Sequence, residues 1–248
     1  MPVVLVHGVP ETPEVWEELR PLLGRDSVAL SLPGFGTPLP EGATPTKEFY
    51  ADWLVGALKE LDGPIDLVGH DWGALLTARV ATTRSVRLRS WVMDVACVYH
   101  PTYVWHDLAR IWLTPEAGEA FMEHALTTPP THPESTASAM RGWGVPEEHA
   151  LAMSGRIDRT MCDAILSLYR SAAPNVFADW GVTTGAPDSP GLVLIPTKDH
   201  VEDPEMSKQT ADVLSARHVE LPHLGHWWML EDPDHSAWEL TTFWDSLD

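Results

Sequence analysis

Gly69-His70-Asp71-Trp72-Gly73 places a carboxylate between two glycines. Ahead of it Ile65 to Val68 reads as a short buried strand, and behind it Ala74 to Val80 reads as a helix, so Asp71 falls on a strand-to-helix turn. Glycine on both flanks lets the backbone double back and project the central side chain at the carboxyl edge of a sheet. A carboxylate oxygen in that position can displace a leaving group at saturated carbon and form an alkyl ester, where a serine or cysteine would favour acyl transfer. Asp71 is also well placed simply to cap the following helix, but capping accounts for neither glycine.

An alkyl ester must then be hydrolysed. That calls for a base to activate water, an acid to orient the base, and N–H donors for the carbonyl oxygen. His7-Gly8-Val9-Pro10-Glu11 follows the first strand, Pro196-Thr197-Lys198-Asp199 a later one, and Gly225-His226-Trp227 the last. The His and Glu residues show no HExxH or comparable ligand spacing, so no metal is expected.

Positioning these groups is the task of the surrounding elements. Val3–Val6, Val28–Leu32, Ile65–Val68, Trp91–Val95, Leu192–Ile195 and His218–Leu221 are short apolar or β-branched runs bounded by turn residues, and they read as strands. Tyr50, Trp53, Leu54, Ala57, Leu58 and Leu61 recur at helical spacing behind Thr46 as N-cap. Thr12-Pro13 is expected to open a helix through Trp16, Leu19 and Leu23. Alternating strand and helix predicts a parallel sheet covered on both faces. The alternation breaks after Val95 and resumes at Leu192, which predicts a core of residues 1–96 and 187–248 and an inserted helical cap over 97–186. Trp105, Trp112, Trp143 and Trp180 give that cap large apolar surfaces, suited either to walling a pocket or to packing on the core.

Taken together, these segments resemble the α/β-hydrolase superfamily, in particular its Asp-nucleophile branch of epoxide hydrolases and haloalkane dehalogenases. The resemblance spans nearly the whole core, and GHDWG followed at a distance by GHW makes it specific. The chain order of nucleophile, acid and histidine is also the family's. The resemblance implies Asp71 as nucleophile, His226 as base, Asp199 as orienting acid, backbone N–H groups of Val9 and Trp72 as oxyanion hole, a cis Val9-Pro10 peptide, and no cofactor. Asp94 competes with Asp199, because in some dehalogenases the acid follows the strand before the lid. Two strands usual at the start of the family's core have no counterpart here, since Val3 begins the HG-bearing strand almost at once. Six strands are therefore expected, with Val28–Leu32 at an edge that invites covering or a homodimer.

The leaving group divides the branch. Ser167-Leu168-Tyr169-Arg170 is similar to the epoxide hydrolase segment whose tyrosine protonates the opening oxygen, and Val9 lacks the halide-binding side chain of many dehalogenases. A second lid tyrosine is not evident near Asp107 to Trp112, leaving Tyr99 or Tyr103 as imperfect substitutes. Trp72 is compatible with either chemistry, and Pro10, Trp112 and Tyr103 are expected against an apolar small-molecule substrate. Epoxide hydrolysis to a diol is the leading expectation, haloalkane dehalogenation the second, and a non-catalytic binding protein on the same scaffold the third.

A formal charge of -20 over 248 residues argues against nucleic acid or anionic membrane as partner. Cys97 and Cys162 are too few for a disulfide framework and fit no metal motif. The first residues have no basic region and too short an apolar stretch for a signal peptide, so the cytoplasm is the expected location.

Overall fold

The computed structural model describes residues 2–181 and 186–248. Six strands, β1 (Val3–Val6), β2 (Ser27–Leu30), β3 (Ile65–Gly69), β4 (Leu88–Met93), β5 (Gly191–Pro196) and β6 (Arg217–Leu221), form one sheet of order β2-β1-β3-β4-β5-β6. Every adjoining pair is parallel. β1, β3 and β5 are buried along their whole length, as near-continuous apolar runs require when helices cover both faces. Successive side chains alternate between those faces: Val4 and Val6 join one apolar cluster, Val3 and Leu5 the other. The two outer strands, β2 and β6, are only partly buried.

Strand ends differ from expectation by a few residues. β4 stops at Met93 rather than Val95, because Val95 takes a left-handed φ of 41° and opens a short 3-10 turn over Ala96–Tyr99. A larger correction concerns the helix expected from Pro13 to Leu23. The chain instead makes two 3-10 turns, Pro13–Trp16 and Arg20–Leu23. Pro21 has no N–H to return to the preceding turn, so a continuous α-helix cannot pass through it.

Two helices prepare the site. α1 (Lys47–Lys59) starts where Thr46 accepts the Phe49 N–H at 3.2 Å, and it buries Tyr50, Leu54 and Leu58 along one face. α2 (Trp72–Thr83) follows β3 directly and is buried over most of its length. Between β4 and β5 the chain leaves the sheet on a helical excursion of α3 (Asp107–Leu113), α4 (Ala117–Thr127), α5 (Thr136–Gly142), α6 (Glu147–Gly155), α7 (Arg159–Ser171) and α8 (Phe177–Trp180). The span expected for the cap includes residues 182–185, which lie outside those described. α9 (Pro204–Leu214), α10 (Trp228–Glu231) and α11 (Pro233–Asp245) complete the chain.

The excursion is fastened to the core by polar as well as apolar contacts. Asp158 caps α7 by accepting the Met161 N–H, and the helix buries Met161, Ile165, Leu168 and Tyr169. At its far end Lys47 donates to the Ser171 carbonyl at 2.6 Å and pairs with Asp179 at 3.0 Å. Cys97 and Cys162 are both free and buried. Among the described residues no helix is long and apolar enough to cross a membrane.

The turn from β3 to α2 depends on close backbone approach. A Cβ on Gly69 would lie 2.1 Å from the Gly73 carbonyl oxygen, and one on Gly73 would lie 2.1 Å from that of Val6. Gly69→Ala and Gly73→Ala are each expected to cost about 3 kcal/mol or more in urea denaturation, since backbone rather than a flexible side chain has to move. Gly56→Ala is the control: it sits within α1 with nothing inside 4 Å, and it should stabilise by roughly 0.5–1 kcal/mol. Equal effects at all three positions would refute the steric account.

Candidate active site

Asp71 occupies the turn with φ 52° and ψ -120°, a conformation that costs an L-residue energy and persists only when its surroundings hold it. Its side chain makes no capping bond to α2, so the capping explanation fails. Oδ1 instead accepts the Val9 N–H at 2.9 Å, and the Trp72 N–H is near enough to favour the charged form of this carboxyl. Gly8 makes room for this approach, because a Cβ there would lie 2.4 Å from that of Asp71. The Val9-Pro10 peptide is cis.

Two loops deliver the remaining groups. His226 Nδ1 lies 2.7 Å from Asp199 Oδ2, and its Nε2 lies 3.9 Å from Asp71 Oδ2. Asp199 follows β5 and is fixed in turn by the Val201 N–H, which donates to Oδ1 at 2.9 Å. With Nδ1 committed to the carboxylate, the Nε2 lone pair of a neutral His226 faces Asp71. Burial pushes the Asp71 carboxyl up to about 6, against the pull of His226 and His70. For His226 burial works downward but Asp199 prevails, raising the imidazole to about 9. Asp199 itself is lowered, as the attraction of His226 outweighs its burial.

Beneath the turn lies a buried ionic set that motif reading missed. His70 Nδ1 meets Asp94 Oδ2 at 2.5 Å and its Nε2 meets Glu11 Oε1 at 3.0 Å. A carboxylate at each ring nitrogen requires both nitrogens to donate, so His70 is an imidazolium. Its pKa is correspondingly raised well above 6.5, Glu11 and Asp94 overcoming burial. Asp94 Oδ1 accepts the Asp71 N–H at 2.9 Å, the Trp228 indole donates to Oδ2 at 2.7 Å, and the Trp227 indole donates to Glu11 at 2.7 Å. Asp94 is therefore bonded to the other histidine, and the alternative that made it the partner of His226 is corrected. Glu11 and His70 stand inside the two most conspicuous motifs; charged residues beside apolar strands were the available signal.

Tyr169 projects from α7 into the chamber that holds Asp71 and His226. Its ring packs against Trp72, Trp105 and Trp112 with centroids 5.3, 5.2 and 4.8 Å away. Burial and then the Asp71 charge raise its hydroxyl well above the usual phenol range, while a side-chain bond from Trp72 pulls the other way. Val9, Pro10 and Trp112 line the same chamber of about 40 Å³. The other tyrosines fare differently. Tyr99 gives its hydroxyl to the Leu75 carbonyl at 2.8 Å, which removes it as a proton donor. Tyr103 packs on Trp105 and is outside the chamber lining, contrary to expectation, although its buried hydroxyl has no partner. Of the four excursion tryptophans, Trp112 and Trp143 line cavities, whereas Trp105 stacks on Trp72 and Trp180 packs under Arg79 and Lys47. Trp143 also stacks on His200, 4.5 Å away, at the side of His226.

Glu11, His70 and His226 bring three potential metal-ligand atoms within 4.8 Å of one another, as do Glu18, Glu148 and His149 at the surface. In the buried group the Glu11 and His70 atoms already serve the ionic set. Chemically the arrangement offers a desolvated carboxylate with one oxygen held and one free, a base behind it and a phenol alongside.

A sequence profile of the Alpha/beta hydrolase family matches residues 3–235. Over 220 residues the chain is 26% identical to (E)-2-((N-methylformamido)methylene)succinate hydrolase of Acinetobacter baylyi, covering 85% of this chain and 77% of that protein. Among solved structures it is similar to haloalkane dehalogenase DbeA of Bradyrhizobium elkani USDA94, with TM-score 0.76 and 19% identity over 99% of this chain and 90% of that one. Epoxide Hydrolase A of Mycobacterium thermoresistibile is similar to the same degree, with TM-score 0.76 and 19% identity over 100% and 92% of the two chains. At these identities the structural likeness is one of fold.

The ionic set generates a stability test. Asp94→Asn takes one of the two carboxylates from a buried imidazolium and should cost roughly 3–5 kcal/mol by denaturation at neutral pH. Glu11, held at about 2 against an ordinary 4.5, contributes stability that is present above 4.5 and lost as pH falls toward 2. Glu11→Gln should therefore flatten the acid limb of the stability curve; an acid limb identical to that of the wild type would remove the ionic set from the account.

Proposed function

The chain belongs to the alpha/beta hydrolase family, and within it we propose an enzyme that hydrolyses small neutral epoxides to diols through an alkyl ester on Asp71. The observation that carries this reading is the Tyr169 hydroxyl in the Asp71 chamber, kept protonated by burial and by the Asp71 charge. An opening epoxide develops negative charge on oxygen, and a phenol that holds its proton until that moment is a suitable general acid. The helical excursion acts as a cap that supplies this acid and excludes water from it.

In the first step Asp71 Oδ2 attacks an epoxide carbon, the carbon–oxygen bond breaks, and Tyr169 transfers its proton to the departing oxygen. Oδ2 is the attacking atom because Oδ1 already accepts the Val9 N–H, while Oδ2 lies 3.9 Å from His226, beyond hydrogen-bond distance. Esterification removes the Asp71 charge that helps to hold the imidazolium of His226, and the fixed charge of His70 also works to lower its pKa. His226 thereupon releases its proton to solvent, to be regained when Asp71 is freed, and the neutral imidazole takes a proton from water, whose oxygen attacks Asp71 Cγ. The N–H groups of Val9 and Trp72 stabilise the oxyanion at Oδ1, Asp199 supports the imidazolium, and the diol leaves with the proton from His226. The proton released by ester hydrolysis restores Tyr169.

The lining supports an uncharged substrate. The Acinetobacter relative is named for a succinate derivative, but no arginine or lysine lines the chamber or the cavity beside it among the described residues. Two carboxylates would be desolvated there beside Asp71, with only the His226 imidazolium, already paired with Asp199, to meet them. One observation favours a second reading: Trp112 lines the chamber and its indole N–H is buried with no partner, as a halide donor would be. Haloalkane dehalogenation is that alternative.

His226→Gln is expected to form the ester and fail to hydrolyse it, giving an intact-mass adduct that maps to Asp71 when incubated with an epoxide. Turnover surviving Asp71→Ala would sink the covalent mechanism. Tyr169→Phe should reduce diol formation by about 100-fold or more, whereas undiminished halide release with no epoxide turnover selects the alternative. Since the nucleophile is the carboxylate, the rate of ester formation should rise with pH, with a midpoint near the Asp71 value of about 6. In His226→Gln that midpoint should move upward, because a positive charge that lowers the Asp71 pKa is gone.

A further inference from the structure

A second cavity, of about 120 Å³, lies against the 40 Å³ chamber. Pro10, Leu108, Trp112 and Trp143 line both and form the neck between them. Beyond the neck the walls are apolar side chains of the excursion, among them Phe121, Met122, Ala125, Met140 and Ile165. Two polar groups in this lining are occupied: Ser135 Oγ donates to the Pro130 carbonyl at 2.8 Å and accepts the Ser138 N–H at 3.1 Å, and His124 Nε2 meets the Glu134 carbonyl at 3.0 Å. The Trp112 indole N–H is buried without a partner at the neck, and Glu134 and Thr136 also border the cavity. A wall made mostly of apolar side chains favours an apolar occupant.

We propose that this cavity seats the one apolar substituent of the substrate, at most a phenyl ring, and so restricts the enzyme to terminal epoxides bearing a single aryl or short branched alkyl group. The proposal rests on the epoxide reading for the reactive end and on the cavity alone for the substituent. Size sets the limit. A dry engineered cavity of about 150 Å³ accommodates benzene, so a cavity of about 120 Å³ admits one six-membered ring at full packing and excludes a fused bicycle. The neck directs the substituent's attachment point toward Asp71. The chamber is too small for a second aryl group on the other epoxide carbon, where Tyr169, His106 and His200 already form the wall.

The test compares kcat/KM for styrene oxide with that for propylene oxide, a ratio that cancels any loss of folded enzyme. Ala125→Leu and Ile165→Phe both add volume inside the cavity and should each lower the ratio by about 10-fold or more, the discrimination a hydrophobic pocket derives from one or a few carbons. A naphthyl epoxide should be turned over at least 10-fold less efficiently than styrene oxide. Benzene at millimolar concentration should raise the melting temperature of the wild type and not that of Ala125→Leu. An unchanged ratio in both variants, or naphthyl and phenyl substrates used equally, overturns the cavity assignment while leaving the reaction standing. Absence of diol from every epoxide, with benzene binding present and abolished by Ala125→Leu, supports the cavity and overturns the reaction.

Discussion

Asp94 accepts the backbone N–H of Asp71 with one oxygen and binds the imidazolium of His70 with the other. Through those two bonds the least favourable backbone conformation in the site is tied to its most deeply buried charge. A residue held in a sparsely populated region costs on the order of 1–3 kcal/mol, and a buried imidazolium would cost more if unpaired. Each offsets the other's penalty by sharing one carboxylate. Glu11 extends the link to the loop after β1, since its second oxygen accepts the Gly8 N–H at 2.9 Å. The turn bearing Asp71 and the loop bearing Val9 are thereby registered against one another before any substrate arrives.

Two histidines with ring centroids 4.6 Å apart consequently have opposite electrostatic roles. His70 has a carboxylate at each nitrogen and keeps its proton throughout. His226 has Asp199 at one nitrogen and, at the other, the Asp71 carboxylate, whose charge disappears in the proposed alkyl ester. In the proposed reaction the same residue type thus serves as fixed charge or as base according to whether its second partner is permanent.

Much of the fold was legible because strong local signals agreed with burial. The apolar runs of β1, β3 and β5 could hardly be anything but interior strands, and Thr46 ahead of an amphipathic run is a cap with a visible mechanism. Where the reading failed, the deciding contact was not local. The helix expected through Leu23 is interrupted by Pro21, a local signal that was outweighed by apolar spacing. Tyr99 and Tyr103 are indistinguishable in type and close in sequence, yet one hydroxyl is committed to the Leu75 carbonyl and the other has no partner. Asp94 and Asp199 each follow a strand at the same edge, and only the arrangement of His70 and His226 around them separates their surroundings. Glu11 escaped notice because its role depends on His70 and Trp227, which are 59 and 216 positions away along the chain.

The excursion departs from β4 and returns to β5, strands that are direct neighbours with Trp91 paired to Gly191. From the standpoint of the sheet, everything between is one loop whose ends are pinned a single strand spacing apart. The entropy of closing such a loop grows only logarithmically, by about 0.6 kcal/mol for each doubling of its length. Insertions or deletions within the helices therefore leave the register of the strands almost untouched. This makes the excursion the part of the chain most open to evolutionary replacement: a lineage can exchange the walls of the apolar cavity wholesale while inheriting Asp71, Asp199 and His226 on an unaltered frame.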